Sequence, residues 1–228
     1  MIRVAQCWDD GCATDIRLIE FLRKYKAKAT FNLIPGAMEE NTIAPCWMPQ
    51  RHNGLSHLGF RGGKVGKKDL LKVYSGFCVA SHCWHHEKAG SLSLTDFVKK
   101  AVDARKYLED VFQKDCPGFV WPFGIAPDAE AKALSDAGFA YGRTGKNVEN
   151  VNAFTNPLQF HPNCHFMAPD FWKRFDAAKA SGNDFYFWGH SYEMLDCDGL
   201  WNQYEDRLAM LCADPDVVWV DVIDLVRR

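Results

Sequence analysis

From residue 2 to residue 222 the chain alternates between short apolar runs and amphipathic stretches. This alternation, more than any other feature, limits what it can fold into. The runs IRVAQCW (2–8), KATFNLI (28–34), FCVAS (77–81), GFVWP (118–122), FAYGRT (139–144), DFYFWGH (184–190) and DVVWVDV (216–222) have the length and apolar character of buried strands. Helical patterns lie between them. Thr14 or Asp15 can cap a first helix, whose Ile16, Ile19, Leu22 and Arg23 follow helical spacing. A short helix is expected over 67–74. A long one over 94–112 has Leu94, Phe97, Val98, Ala101, Leu108, Val111 and Phe112 on one face, with Ser93 and Asp96 spaced as a capping box. Another over 126–138 opens after Pro127 and closes at Gly138, and two more follow over 170–180 and 201–213. Residues 37–66, with glycines at 54, 59, 62, 63 and 66, read as an irregular loop over a cleft, and 145–168 carry no clear pattern. Strand–helix alternation of this kind demands parallel strands joined by crossover helices. The fold class is therefore α/β, as an irregular barrel or a doubly wound sheet, and 1–228 reads as a single domain.

Composition narrows the partners. The net charge is −2 with no basic stripe, which argues against nucleic acid. No apolar run approaches the roughly 18 residues of a membrane span. Nine scattered cysteines without a C-x-x-C pair fit reduced thiols, and Met1 runs directly into IRVAQCW without a leader pattern. A cytoplasmic protein is the expectation, although a secreted chain trimmed of its leader would read the same. Aromatic residues reach 14 %, with eight tryptophans, which suits either a Trp-rich core or a sugar-binding cleft.

In parallel β/α folds the chemistry gathers at the carboxyl ends of the strands. Here those ends carry Asp9–Asp10, then His82, His85 and His86, then the WPFG stretch 121–124, then Arg143, then His190, Ser191 and Glu193. His82 and His86 stand four apart, the spacing that sets two imidazoles on one face of a helical turn. Two imidazoles and a carboxylate form a common three-ligand metal set with positions open for water and substrate.

Four stretches, CWDDG (7–11), SHCWHH (81–86), WPFG (121–124) and WGH (188–190), resemble in order and spacing the motifs of the polysaccharide deacetylases, carbohydrate esterase family 4. The resemblance implies a distorted (β/α) barrel of about seven parallel strands with outer helices. It also implies a divalent metal, most commonly Zn2+, and hydrolysis of an N- or O-acetyl group on a sugar or polysaccharide. Carried over residue by residue, it makes Asp9 the general base that deprotonates a metal-bound water, with Asp10, His82 and His86 the metal ligands. It makes His190 the general acid, with the Phe123 backbone N–H at the oxyanion and Trp121 beside it. His165 is a possible substrate contact. Two departures stand out. The arginine expected to orient the base falls on Val120, and Arg143 is the candidate replacement. The family's D-x-x-D-W motif is missing, its place taken by NPLQFHPNCHFM (156–167), and Glu193 is the candidate to orient His190, with Asp184 and Asp221 as rivals. Two alternatives remain at this point: a metal-dependent amidase or deformylase acting on a small C–N substrate, and a degenerate carbohydrate-binding protein of the same fold.

Overall fold

The computed structural model describes residues 1–47, 60–196 and 199–227. Gly54 and Gly59 of the expected cleft loop, and Cys197, lie outside them. In chain order the elements are β1 (Ile2–Asp9), α1 (Asp15–Tyr25), β2 (Thr30–Leu33), β3 (Cys46–Trp47), β4 (Phe60–Arg61), α2 (Leu70–Tyr74), β5 (Cys78–Ser81), α3 (Leu94–Phe112), β6 (Gly118–Val120), α4 (Asp128–Asp136), β7 (Tyr141–Arg143), β8 (Cys164–His165), α5 (Phe171–Ala180), β9 (Phe185–Gly189), α6 (Leu200–Ala213), β10 (Val217–Trp219) and α7 (Val222–Val226). The main sheet runs β7-β6-β5-β2-β1-β9-β8, with β10 also on β1, and every pairing within it is parallel. It curls into a distorted (β/α) half-barrel.

β1 is the hub because it is apolar on both faces, as a central parallel strand must be. β9 follows one edge from Val4 to Trp8. The other edge is shared: β10 takes Ile2–Val4 and β2 takes Cys7–Asp9. Side chains alternate across the sheet. Val4 and Trp8 join the outer cluster beneath α1 and α6, with Leu18, Leu22, Tyr204 and Leu208. Ala5 and Cys7 point inward, onto Tyr141, Phe160 and Tyr186. Asp9 is next in that inward row, so the strand period itself delivers a carboxylate to the top of the barrel interior.

Seven strands match the sequence reading, and the eighth, β8, is only two residues long and falls in the stretch that showed no pattern. Asn163 holds it there: its amide donates to the Val148 and Glu149 carbonyls and its side-chain oxygen accepts the Tyr186 N–H. The last strand ends at Trp219 and residue 222 already belongs to α7, so the expected strand over 216–222 is overlong. Ser93 caps α3 as expected, accepting the Asp96 N–H. Thr14 does not cap α1; its hydroxyl pairs with Ser191 instead. Asp15 is buried, accepting from Tyr74 and Ser191, so this pair locks α1 to the segment after β9. All cysteines among the described residues are free thiols. No helix there is long and apolar enough to cross a membrane.

Candidate active site

The strand ends converge on one cavity of about 540 Å³, lined by Asp9, Asp10, His82, His86, Trp121, Phe123, Arg143, His165, Trp188, His190 and Glu193 among others. Its floor is built around Asp9, which is 2 % exposed. One carboxylate oxygen accepts from the Asn32 amide at 2.6 Å, and the other accepts from the buried Arg143 guanidinium. Arg143 ends β7, and β7 pairs with β6 so that Arg143 lies directly beside Val120. The arginine absent at position 120 is therefore supplied one strand over. Burial alone would push the Asp9 carboxyl up; Arg143, with His82 and His190 nearby, holds it below the usual carboxylate range.

Asp10 leaves the strand with φ 80°, a left-handed conformation uncommon for a residue with a Cβ. Gly11 follows at φ 62°, where an added Cβ would run into the Met38 side chain. This double turn swings Asp10 away from Asp9 even though the two are neighbours. Lys64 stabilises it, donating to the Asp10 carbonyl at 2.7 Å and lying 3.9 Å from one carboxylate oxygen. Burial works against the Asp10 charge, but Lys64 and the three imidazoles hold the carboxyl well below its ordinary value.

The other Asp10 oxygen, Oδ1, is buried without a hydrogen-bond partner and sits 3.6 Å from His82 Nε2. His82 Nδ1 is 2.8 Å from the Val120 carbonyl, which fixes the hydrogen on Nδ1 and leaves Nε2 as a lone pair. Burial pushes the His82 imidazole down to about 4, so the ring is neutral near pH 7. A lone pair thus faces an unpartnered carboxylate oxygen, an arrangement that repels unless a cation lies between. The His86 ring packs edge-on to His82 at 4.6 Å, and ligand atoms of Asp10, His82 and His86 all fall within 4.8 Å of one another. These three residues fit a divalent cation. The x3 spacing works differently from the helical turn expected: Cys83 and His86 take left-handed conformations in a loop, and that loop returns the second imidazole to the first.

On the opposite wall, His190 follows β9, with Nε2 3.9 Å from Asp9 Oδ2 and Nδ1 3.4 Å from Glu193 Oε1. Glu193 is 3 % exposed; its Oε2 accepts the His190 backbone N–H at 3.0 Å and a bond from His165 Nε2 at 2.8 Å. Burial opposes charge on His190, yet Glu193, with Asp10 and Asp9 behind it, raises the imidazole to about 9. Of the residues weighed as its partner, Glu193 holds the position; Asp184 pairs with Arg3 and Asp221 with Lys28, both away from the cavity.

The structure thus brings together Asp9, Asp10, His82, His86, Arg143, His190 and Glu193. His165, expected as a substrate contact, also lines the cavity, but both its ring nitrogens are bonded to protein. Trp121 forms a buried wall with its indole N–H spent on the Leu158 carbonyl, so it offers surface rather than a donor. Phe123 has φ 61° and a side chain 66 % exposed at the rim, against His86. Of the tryptophans beside the motifs, Trp188 lines the cavity under the Arg143 guanidinium, while Trp8 is wholly buried beneath it. The sequence reading missed Asn32 and Lys64. Asn32 had a signal, a polar amide near the end of a buried strand; Lys64 had none, as it comes from an irregular loop.

A family model for polysaccharide deacetylases matches residues 2–142, more than half of the chain. That span takes in Asp9, Asp10, His82 and His86 but ends before Arg143, His165, His190 and Glu193. No curated protein matches the chain. Among solved structures, a Mycobacterium smegmatis protein described as a polysaccharide deacetylase aligns at TM-score 0.63 and 16 % identity, over 99 % of this chain and 90 % of that one. The peptidoglycan deacetylase PdaC from Bacillus subtilis aligns at 0.55 and 18 %, over 98 % and 89 %. A family 4 acetyl xylan esterase from Clostridium thermocellum, in complex with a cobalt ion, aligns at 0.53 and 14 %, over 98 % and 89 %. At these identities the likeness is one of fold.

Proposed function

We propose that this chain, which belongs to the polysaccharide deacetylase family, is a metal-dependent hydrolase that removes an N- or O-acetyl group from a sugar or polysaccharide. The observation that carries the reading is the unpartnered Asp10 Oδ1 facing the His82 Nε2 lone pair, with His86 beside them. Asp10, His82 and His86 would hold a divalent cation, with Zn2+ the best match to two imidazoles and a carboxylate. The cobalt ion in the Clostridium thermocellum esterase is consistent with such a site on this fold. When bound, the cation supplies Lewis-acid polarisation of the acyl carbonyl and a more acidic water.

The remaining steps belong to the chain. Asp9 accepts the proton of the attacking water, and Asn32 and Arg143 hold its two oxygens so that it meets the water in one orientation. The Phe123 backbone N–H stabilises the oxyanion. His190, raised to about 9, carries a proton at neutral pH and delivers it to the departing nitrogen or oxygen of the sugar. Base and acid stand at the ends of neighbouring strands, β1 and β9, with His190 Nε2 3.9 Å from Asp9 Oδ2, so one small acyl group can meet both. Trp188 and Phe123 give the sugar ring flat apolar surface.

The test is acetate release from a panel: N-acetylglucosamine oligomers, acetylated xylo-oligosaccharides, and small N-acetyl and N-formyl amides, each with added Zn2+ or Co2+. Release from a sugar is expected. Turnover confined to the small amides would replace the reading with a small-molecule amidase, and sugar binding without turnover would replace it with a binding protein.

A further inference from the structure

The groups His165, His190 and Glu193 form a second cluster of potential metal ligands, within 4.8 Å of one another. Their bonding argues for another use. His165 Nδ1 accepts the Met167 backbone N–H at 3.2 Å, so in the neutral ring the hydrogen sits on Nε2. That Nε2–H points at Glu193 Oε2, 2.8 Å away. Neither nitrogen is left for a cation. His165 is itself placed by β8, where it pairs with Trp188 in the ladder to β9, and its ring packs edge-on to Trp188 at 4.8 Å.

We propose that His165 is a positioning residue for the departure step: it anchors the Glu193 carboxylate, and Glu193 in turn aims His190 at the leaving group. Glu193 Oε2 takes two donors, His165 Nε2–H from β8 and the His190 N–H from its own turn. Two donors from different directions stop the carboxylate from rotating, which keeps Oε1 3.4 Å from His190 Nδ1 and the Nε2 edge of the ring turned toward Asp9, 3.9 Å away. The carboxylate and the anchoring imidazole come from two separate elements, and the imidazole lies in the stretch 156–167 that stands where the sequence lacks the family's usual aspartate motif. This inference rests on the reading of His190 as the acid.

The test compares two substrates that differ in their need for that proton. An amine cannot leave without one, whereas p-nitrophenolate leaves as the anion. His165→Phe keeps the ring volume and removes both nitrogens; His165→Gln restores an amide donor at the Nε2 position. On N-acetylglucosamine tetramer His165→Phe is expected to lower kcat roughly 10- to 100-fold, part of the 10²–10⁴ a positioned acid supplies, with KM within about twofold. On p-nitrophenyl acetate it is expected to stay near wild type, and His165→Gln is expected to recover most of the amide turnover. Equal loss on both substrates, or His165→Gln as poor as His165→Phe, overturns the proposal. Nitrogen NMR of the His165 ring gives a readout free of turnover: hydrogen on Nε2 is expected, and the Nδ1–H form overturns it. A wild-type protein that turns over neither substrate would sink the functional reading, while the ring tautomer would still decide the contact.

Discussion

Arg143→Met removes one partner of a buried ion pair, and its cost follows from the surroundings of Asp9. Both side chains are almost wholly buried, at 2 % and 4 %. Without the guanidinium the carboxylate keeps the Asn32 amide as its hydrogen-bond donor, with His190 Nε2 3.9 Å from Oδ2. Stranding a buried charge in this way costs about 3–5 kcal/mol, and the lost stacking of Arg143 on Trp188 adds on the order of 2 kcal/mol at a desolvated site. Asp9→Asn strands the guanidinium instead and costs a comparable amount. The double variant carries neither charge, so it should be more stable than the sum of the singles by roughly 3 kcal/mol, well above the ~0.5 kcal/mol scatter of independent sites. Urea unfolding measures this, with stability read from the midpoint at unchanged slope. The pH dependence gives a second sign. The folded Asp9 carboxyl lies below its unfolded value, so its contribution is complete above about pH 4 and fades as the pH falls. In Arg143→Met the main influence opposing burial is gone, the carboxyl rises, and acid becomes less harmful. Additive single effects with an unchanged acid limb would refute the pairing.

Asp15 carries the opposite pH dependence. Burial pushes its carboxyl up to about 7 in the folded state, so its stabilisation is complete below about pH 4 and is lost as the pH rises through 7, on the order of 4 kcal/mol. Asp15→Asn should flatten that slope in thermal melts from pH 4 to 8, and a variant that keeps the wild-type slope would contradict it. His82→Ala should remain folded yet bind Zn2+ in calorimetry more than about 100-fold more weakly, beyond the roughly 10- to 100-fold expected for an outer partner; wild-type affinity would remove His82 from the ligand set.

Most of the barrel was legible because each strand carries its own apolar run and each crossover its own helical period. β8 was not, because two residues leave no period to read and Asn163 fixes them through contacts distant in sequence. The two carboxylates, the three imidazoles and Glu193 were legible from their places at strand ends. Arg143 was anticipated as the substitute for the arginine missing at Val120, and the β6–β7 pairing explains how it reaches Asp9: Val120 and Arg143 are direct partners on neighbouring strands. The role of Lys64 depends on a loop path, and the bonding of His165 depends on which nitrogen the Met167 N–H occupies. Neither leaves a mark in a linear motif.

The account stands or falls on Asp9 as a base beside a cation held by Asp10, His82 and His86. Wild type and Asp9→Asn, purified side by side, should carry the same stoichiometric divalent metal, while acetate release by Asp9→Asn falls by about 10²–10⁴. Equal metal content with undiminished acetate release would contradict it.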